Sequence, residues 1–399
     1  MIYLNVSFPL IVFMKFNQIL CRYGELGLKK EYTRRFFEDK IISNITKGLK
    51  SKKITFKIKR ESGRFFVKTK QIEESCEVLK KIFGLTSISP VREVIIKADL
   101  EKLILHAERF AKKFIKKEDT FAVRARRTGN DAFTSQMIER RVGARVIEKT
   151  GAKVNLTKPD KTLYIEVRQN RAFFFNEKIK CPGGIPLGTQ GSVVLMLSGG
   201  IDSAVAGWMM MKRGCKLIPI YFDNSPYSDF KINFKKVKYV LDKLNEWSIG
   251  HKMKLYVAKN GKFLNEVVEK CQPNLTCLLC KRMMYRIAEE FAIKKGARAV
   301  VTGENLGQVA SQTLDNIYVL NQSVNIPILR PIIGFNKEEI IDMARDIGTY
   351  ESSILPTSSC DAVPDSPRTK GRIDEILREE KKLDMKKHTE KILKNIKTF

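Results

Sequence analysis

Residues 197–203 read Leu-Ser-Gly-Gly-Ile-Asp-Ser and follow directly on the apolar run 193–197. A strand, a glycine-rich turn and a helix start make an anion site, because free backbone N–H groups and the helix dipole both favour negative charge. Gly199 and Gly200 let the backbone approach a ligand closely, and Ser198 and Ser203 add hydroxyl donors. Asp202 suits Mg2+, which takes carboxylate and phosphate oxygens. The plainer alternative is an ordinary glycine-containing turn, but the tight pattern between a strand and a helix favours phosphate.

The second group with chemical potential is sulfur. Cys277 and Cys280 form a C-x-x-C just ahead of an apolar helix face, and Cys360 lies 80 residues beyond in a Ser/Pro-rich stretch. The spacing alone allows several readings. A structural zinc would need a fourth ligand, which no tidy spacing supplies. A redox pair and plain buried thiols fit equally well. Cys21, Cys76, Cys181, Cys215 and Cys271 sit in no pattern and read as packing residues, Cys271 being the nearest spare to the pair. His106, His251 and His388 sit in no motif and read as structural or exposed.

These groups need elements to position them. Apolar runs at 193–197, 217–222, 255–258 and 299–302 alternate with helical patterns, which predicts a doubly wound parallel sheet. Ahead of it, 181–191 holds four glycines and two prolines and reads as a linker or ordered loop. The first half reads as α+β. A strand over 16–22 leads to a helix with Phe37, Ile41, Ile45 and Leu49 on one face. Strands at 54–58 and 64–68 follow, and a helix over 76–83 completes the unit. A second unit begins with a strand at 94–96 and a helix marked by Leu100 through Phe114. It continues with a strand at 120–126, a helix at 134–149, and a hairpin of 163–168 with 172–176. The expected organisation is therefore 1–75, 76–180, a linker at 181–191, and 192–399.

Charge separates the two halves. The chain has 399 residues and a net charge of +30. Residues 1–180 carry 41 Lys+Arg against 20 Asp+Glu, so most of the excess lies there. Such a field draws polyanions, nucleic acid above all, although a lysine-rich solvated surface is the bland reading. Arg124, Arg126 and Arg127 at the end of one strand, with Arg140 and Arg141 on the next helix, are the candidate RNA contacts. Eight cysteines in a chain this long fit a reducing cytoplasm rather than a secreted disulfide framework. No stretch is long and apolar enough to span a membrane. Met14 opens a sequence that reads like a natural chain start, so residues 1–13 are a mis-assigned start or a strand extension.

The loop resembles the PP-loop of the ATP pyrophosphatases, which cleave ATP between its α and β phosphates and adenylate an oxygen. The resemblance sharpens along the chain. Val301–Asn316 (VTGENLGQVASQTLDN) and Asn325–Pro356 are similar to the pyrophosphatase domain of the 4-thiouridine tRNA sulfurtransferases (ThiI). Arg22–Lys29 (RYGELGLK) resembles that family's N-terminal ferredoxin-like domain, and 76–180 resembles its THUMP RNA-binding domain. The likeness covers nearly the whole chain in the family's order, in the short form without the C-terminal rhodanese domain of long bacterial members.

The resemblance implies further roles. ATP contacts carry over to Met196, Leu197, Tyr221, Phe222, Lys281, Gly303 and Gln312, with core packing as the alternative for the two aromatics. Cys360 carries over as catalytic. In short archaeal members three cysteines hold a 4Fe-4S cluster, here Cys277, Cys280 and Cys360; a persulfide on Cys360 is the competing route. The implied reaction adenylates O4 of the uridine at tRNA position 8 and replaces it with sulfur to give 4-thiouridine. Expected partners are tRNA, ATP with Mg2+, and sulfide or a sulfur-donor protein, with a homodimer as an allowed assembly. A role in thiamine biosynthesis is not defined by the residues. The rivals are a 2-thiolating tRNA enzyme, disfavoured by the basic THUMP-like unit, and a noncatalytic tRNA-binding protein, disfavoured by the intact loop.

Overall fold

The computed structural model describes residues 16–97, 99–129 and 133–399. The expectation for residues 1–13 lies outside them. The chain divides into two compact units, residues 1–183 and 184–399.

The first unit runs β1 (Gln18–Tyr23), α1 (Glu31–Ser51), β2 (Phe56–Glu61), β3 (Arg64–Thr69), α2 (Ile72–Leu79), β4 (Leu85–Ile95), α3 (Leu100–Ala111), β5 (Thr120–Thr128), α4 (Ser135–Thr150), β6 (Lys153–Val154), β7 (Lys161–Arg168), β8 (Arg171–Phe175) and β9 (Ile179–Lys180). Among the described residues its nine strands form one sheet in the order β2-β3-β1-β4-β8-β7-β5-β6, with β9 also on β4. The expected break at residue 75 falls inside α2, which begins four residues before the expected helix at 76–83. The chain leaves it after Leu79, and Gly84, at φ +97°, turns it into β4.

Strand β4 is far longer than the expected 94–96 because it pairs with strands from both halves of the unit. It meets β1 along one edge, and β9 then β8 along the other. The strand runs through Pro90, although a proline argues against an interior strand. Pro90 lies between the β9-paired residues 87–88 and the β8-paired residues 92–95, where no neighbour on that edge needs its missing donor.

Strand alternation divides this sheet into two faces. Leu163, Ile165, Val167 and Phe174 pack with Phe110 of α3 and Val142 of α4. Residues of the other parity, Leu20, Phe66, Val91, Phe173 and Phe175, form a separate cluster joined by Tyr164.

The second unit runs β10 (Ser192–Met196), α5 (Ile201–Lys212), β11 (Lys216–Asp223), α6 (Phe230–Trp247), β12 (Tyr256–Lys259), α7 (Gly261–Lys270), α8 (Thr276–Lys294), β13 (Val300–Val301), α9 (Leu314–Asn321), β14 (Ile328–Leu329), α10 (Lys337–Ile347), α11 (Ile373–Glu380), α12 (Met385–Lys394) and β15 (Lys397–Thr398). The sheet order is β14-β13-β10-β11-β12-β15. The first five strands are parallel, as expected, and β15 closes one edge antiparallel. That last strand follows the basic helical tail and had no signal of its own; it is two residues long and exists through Leu255–Phe399 and Tyr256–Thr398 pairing.

From β10 the chain winds outward through β11 and β12, then crosses back to β13 on β10's other side. Such a switch point opens a crevice at the carboxyl ends of the two central strands. Leu279, Met283, Ile287 and Phe291 of α8 pack with Val194, Ile220 and Val300 of the sheet. A Cβ at Gly207 of α5 would come within 2.7 Å of Leu195, so a glycine is what lets this helix sit close on the strand. No helix of the described residues is long and apolar enough to cross a membrane.

Candidate functional site

The nucleotide loop lies at that switch point. Gly199 has φ +80°, a conformation costly for residues with a Cβ, and Val237 of α6 packs 3.1 Å from where that Cβ would stand. Two serines set the loop's shape. Ser198 N–H donates to Ser203 Oγ at 3.2 Å, and Ser203 Oγ–H donates to the Gly200 carbonyl at 3.1 Å. Gly200 caps α5 without a side-chain bond of its own, which leaves the first N–H groups of the helix available to an anion. Gly303, just past β13, is required by proximity: its Cβ would fall 2.5 Å from Ser203 N.

These residues rim a cavity of about 380 Å3. Met196, Leu197, Ser198, Asp202 and Ser203 form one side, and Tyr221 and Phe222 at the end of β11 form the next. Lys281, Gly303, Gln312 and Cys360 also line the cavity. Sequence positions as far apart as 196 and 360 thus meet in one volume. Gly199 and Gly200 shape the loop without lining the cavity.

Two of the expected ligand residues are already engaged. The Lys337 ammonium lies 2.9 and 3.2 Å from the two Asp202 carboxylate oxygens, and Gln308 Nε2–H donates to Oδ2 at 3.4 Å. Asp202 therefore faces a cation, the environment that Mg2+ would also supply. Lys281 stands 3.3 Å from Glu304, a buried carboxylate on the cavity wall. Glu304 also accepts from Tyr285 Oη at 2.5 Å, Arg330 Nε at 2.8 Å and Thr302 Oγ1 at 3.2 Å. Burial pushes its carboxyl up, but the Lys281 and Arg330 charges outweigh this and hold it below its ordinary value. Glu304, Arg330 and Lys337 were missed by sequence reasoning. Glu304 lay in a recognised stretch, but its role depends on Arg330, 26 residues away and just past β14.

Cys360 lines this cavity, and Cys277 and Cys280 lie near enough to feel it electrostatically. Cys277 and Cys280 occupy the first turn of α8, one turn apart. Cys280 is buried, and its Sγ accepts from Asn260 Nδ2–H at 3.3 Å. Cys360 belongs to a loop pinned to the start of α6. Asn233 bonds both the Ser358 carbonyl and N–H at 3.0 Å, and Asp361 N–H donates to the Tyr227 carbonyl at 2.8 Å. Burial raises all three thiols, Cys280 to about 12, and Cys360 raises the other two further by repulsion between the thiolate forms. Soft sulfur donors that repel one another when ionised are what a cationic iron–sulfur group would stabilise. Among the described residues, no three His, Cys, Asp or Glu side chains are grouped so as to hold a metal ion. The remaining cysteines are buried. His388 bonds Glu266 at 2.5 Å.

In the first unit the five candidate arginines do not form one patch. Alternation sends Arg124 and Arg126 to one face of β5 and Arg127 to the other. Arg124 bonds the Leu156 carbonyl, Arg127 the Gly129 carbonyl, and Arg141 pairs with Glu101. Arg140 and Arg124 line a mainly apolar cavity of about 520 Å3 with Phe121, Ile147 and Leu156. Arg126 is exposed and faces a different charged group, described below.

A switch-point crevice with a PP-type loop, in a chain whose other unit is strongly basic, defines a nucleotide-binding protein of the PP-loop class joined to an RNA-binding module. Known families bear this out. Residues 188–385 match the model of the thiamine biosynthesis protein (ThiI), 18–89 the ThiI ferredoxin-like domain, and 97–176 the THUMP domain. The chain is 41% identical to a probable tRNA sulfurtransferase of Methanosarcina acetivorans, over 96% of this chain and 93% of that protein. It is 40% identical to one of Methanobrevibacter smithii, over 96% and 100%. A crystal structure of a 4-thiouridine synthetase–RNA complex with bound ATP superposes with TM-score 0.83 at 32% identity, covering 96% of this chain and 99% of that one. The chain belongs to the ThiI family of tRNA sulfurtransferases.

Proposed function

We propose that this protein converts the uridine at position 8 of tRNA to 4-thiouridine, using ATP. The observation that carries the reading is the cavity in which the nucleotide loop, Lys281, Gln312 and Cys360 share one wall system. The adenine ring packs against Tyr221 or Phe222, and the α-phosphate sits on the open N–H groups of α5. Asp202 exchanges Lys337 for Mg2+, and Lys281, held by Glu304, balances phosphate charge.

In the first step uridine O4 attacks the α-phosphorus and pyrophosphate leaves. The carbonyl oxygen, a poor leaving group, thereby becomes part of AMP, a good one. In the second step a sulfide-level sulfur attacks C4 and AMP departs. The protein's share is positioning and charge stabilisation in a water-poor crevice. A 4Fe-4S cluster on Cys277, Cys280 and Cys360, when bound, would supply iron with an open position for sulfide. Support for that reading comes from Cys360 on the nucleotide cavity and from its electrostatic proximity to Cys277 and Cys280.

The setting is the cytoplasm, with tRNA and ATP as partners and the sulfur arriving as sulfide or from a donor protein. The test is to incubate the anaerobically purified protein with unmodified tRNA, ATP, Mg2+ and sulfide. The expected result is 4-thiouridine at position 8 with stoichiometric AMP and pyrophosphate. Sulfur at C2, or ATP turnover without modified tRNA, would reject the reading.

A further inference from the structure

The face of the first unit's sheet that carries the Leu20–Phe66–Phe173 cluster holds a charged group of its own. At its centre is Glu166 of β7, nearly buried. Arg64 Nε lies 3.1 Å and Arg168 Nε 2.9 Å from Glu166 Oε1, and Arg22 Nη2 lies 3.7 Å from Oε2. Arg126, the register partner of Glu166 on β5, and Lys178 act on the same group electrostatically. Five cations thus surround one carboxylate.

The geometry of the group is preset. The Arg22 guanidinium lies 4.8 Å from the centre of the Phe175 ring, and Lys178 lies 4.2 Å from that of Tyr164. Those two rings stack on each other at 5.1 Å. Arg22 Nη1 donates to Ser89 Oγ at 2.9 Å, whereas its Nη2 is buried and makes no hydrogen bond. The cations disturb one another as well. Burial, then Arg64 and Arg126, push Arg22 down to about 10 despite Glu166, and Lys178 is lowered by burial and by Arg22, Arg126 and Arg64. A structural ion pair would balance its charges. Here the imbalance persists in a partly buried site, where the low dielectric makes an added anion favourable.

We propose that Arg22, Arg64, Arg126, Arg168 and Lys178, arranged around Glu166, bind a backbone phosphate of RNA. Glu166 offsets only part of this charge and competes with an incoming phosphate for the arginine forks. Arg126 and Lys178, the exposed members, form the entrance. A contact of this kind fixes the RNA's position without reading its sequence. The site deepens, and rests on, the reading of the protein as one that acts on tRNA.

Binding of the full-length protein to tRNA, measured between low and moderate salt, tests it. Lys178→Gln removes an exposed charge and should weaken binding several-fold, with the slope of log affinity against log salt shallower by about one. Arg22→Lys keeps the charge but loses the fork, and should also weaken binding. Glu166→Gln is the decisive variant. Removing the competing carboxylate should tighten tRNA binding if the site takes phosphate, whereas a purely structural ion-pair network would give unchanged or weaker binding. Unaltered affinity and slope in Lys178→Gln, or no tightening in Glu166→Gln, overturns the proposal. Inorganic phosphate stabilising the protein against heat in a Glu166-dependent way, with tRNA binding unaffected, would make this a free-anion site and also overturn it. Normal 4-thiouridine formation alongside either negative result leaves the proposed reaction standing. The predicted slope changes in a protein that makes no 4-thiouridine would leave the site standing and reject the reaction.

Discussion

Lys337, the first residue of α10, holds Asp202, the second residue of α5, by contacts of 2.9 and 3.2 Å across the mouth of the nucleotide cavity. The pair is partly exposed, and such ion pairs contribute only ~0–1 kcal/mol to stability. Asp202→Ala should therefore leave the melting temperature nearly unchanged. It should lower pyrophosphate release at least ~100-fold, the scale on which loss of one preorganised charge-stabilising group is felt, while tRNA affinity is retained. Wild-type turnover in this variant would remove Asp202 from the chemistry.

Glu304 behaves differently because it is buried with Arg330. Glu304→Gln removes one partner of a buried pair and should cost roughly 3–5 kcal/mol. Denaturant titration would read this loss, and the KM for ATP should rise because Lys281 loses its anchor. The sign of the pH dependence follows from the lowered carboxyl. The stabilisation is fully present above the ordinary value of 4.5 and is lost as pH falls through the lower folded value. The wild type should thus lose stability in acid below that value, and the Gln variant should show a shallower acid limb over that window. Equal acid limbs would mean that the pair contributes no linkage.

Gly303 tests the closeness of β13 to the loop. Its Cβ would meet Ser203 N at 2.5 Å, against backbone that cannot yield without moving the start of α5. Gly303→Ala should raise the KM for ATP by about tenfold or more, a displacement effect of the size that small misplacements produce. Unchanged ATP kinetics would show that the loop is not held in this position for function.

The thiols separate the two half-reactions. Replacing Cys277, Cys280 or Cys360 singly by Ala should abolish 4-thiouridine formation and lower the iron content after anaerobic purification, while ATP-dependent pyrophosphate release persists. Loss confined to Cys360→Ala, with full activity in the other two, would favour a persulfide on Cys360.

Residues 1–183 form a compact unit with their own core. This fragment should bind tRNA by itself with strongly salt-dependent affinity, since most of the net charge lies there. Binding carried only by residues 184–399, or flat with salt, would contradict that expectation.

Much of this was legible along the chain because it depends on neighbours in sequence. Residues 197–203 announce a phosphate loop through short-range rules alone: an apolar strand, glycines where the backbone must bend, hydroxyls and a helix start. The alternation of apolar runs and helical patterns after residue 192 likewise fixes a parallel sheet, since parallel neighbours need long crossovers. The charge excess of the first half needs no structure at all.

Whatever depends on partners distant in sequence required the tertiary structure. Strand β4 tolerates Pro90 only because its missing donor falls in a gap between two partners. Five arginines chosen by local density separated, because strand alternation and pairing with Glu101 or backbone carbonyls disperse them. Glu304 and Arg330, Asp202 and Lys337, and Cys360 with the Cys277–Cys280 turn are paired only by the crossing of the chain at the switch point. Burial makes those meetings energetically decisive, and one-dimensional spacing does not encode it.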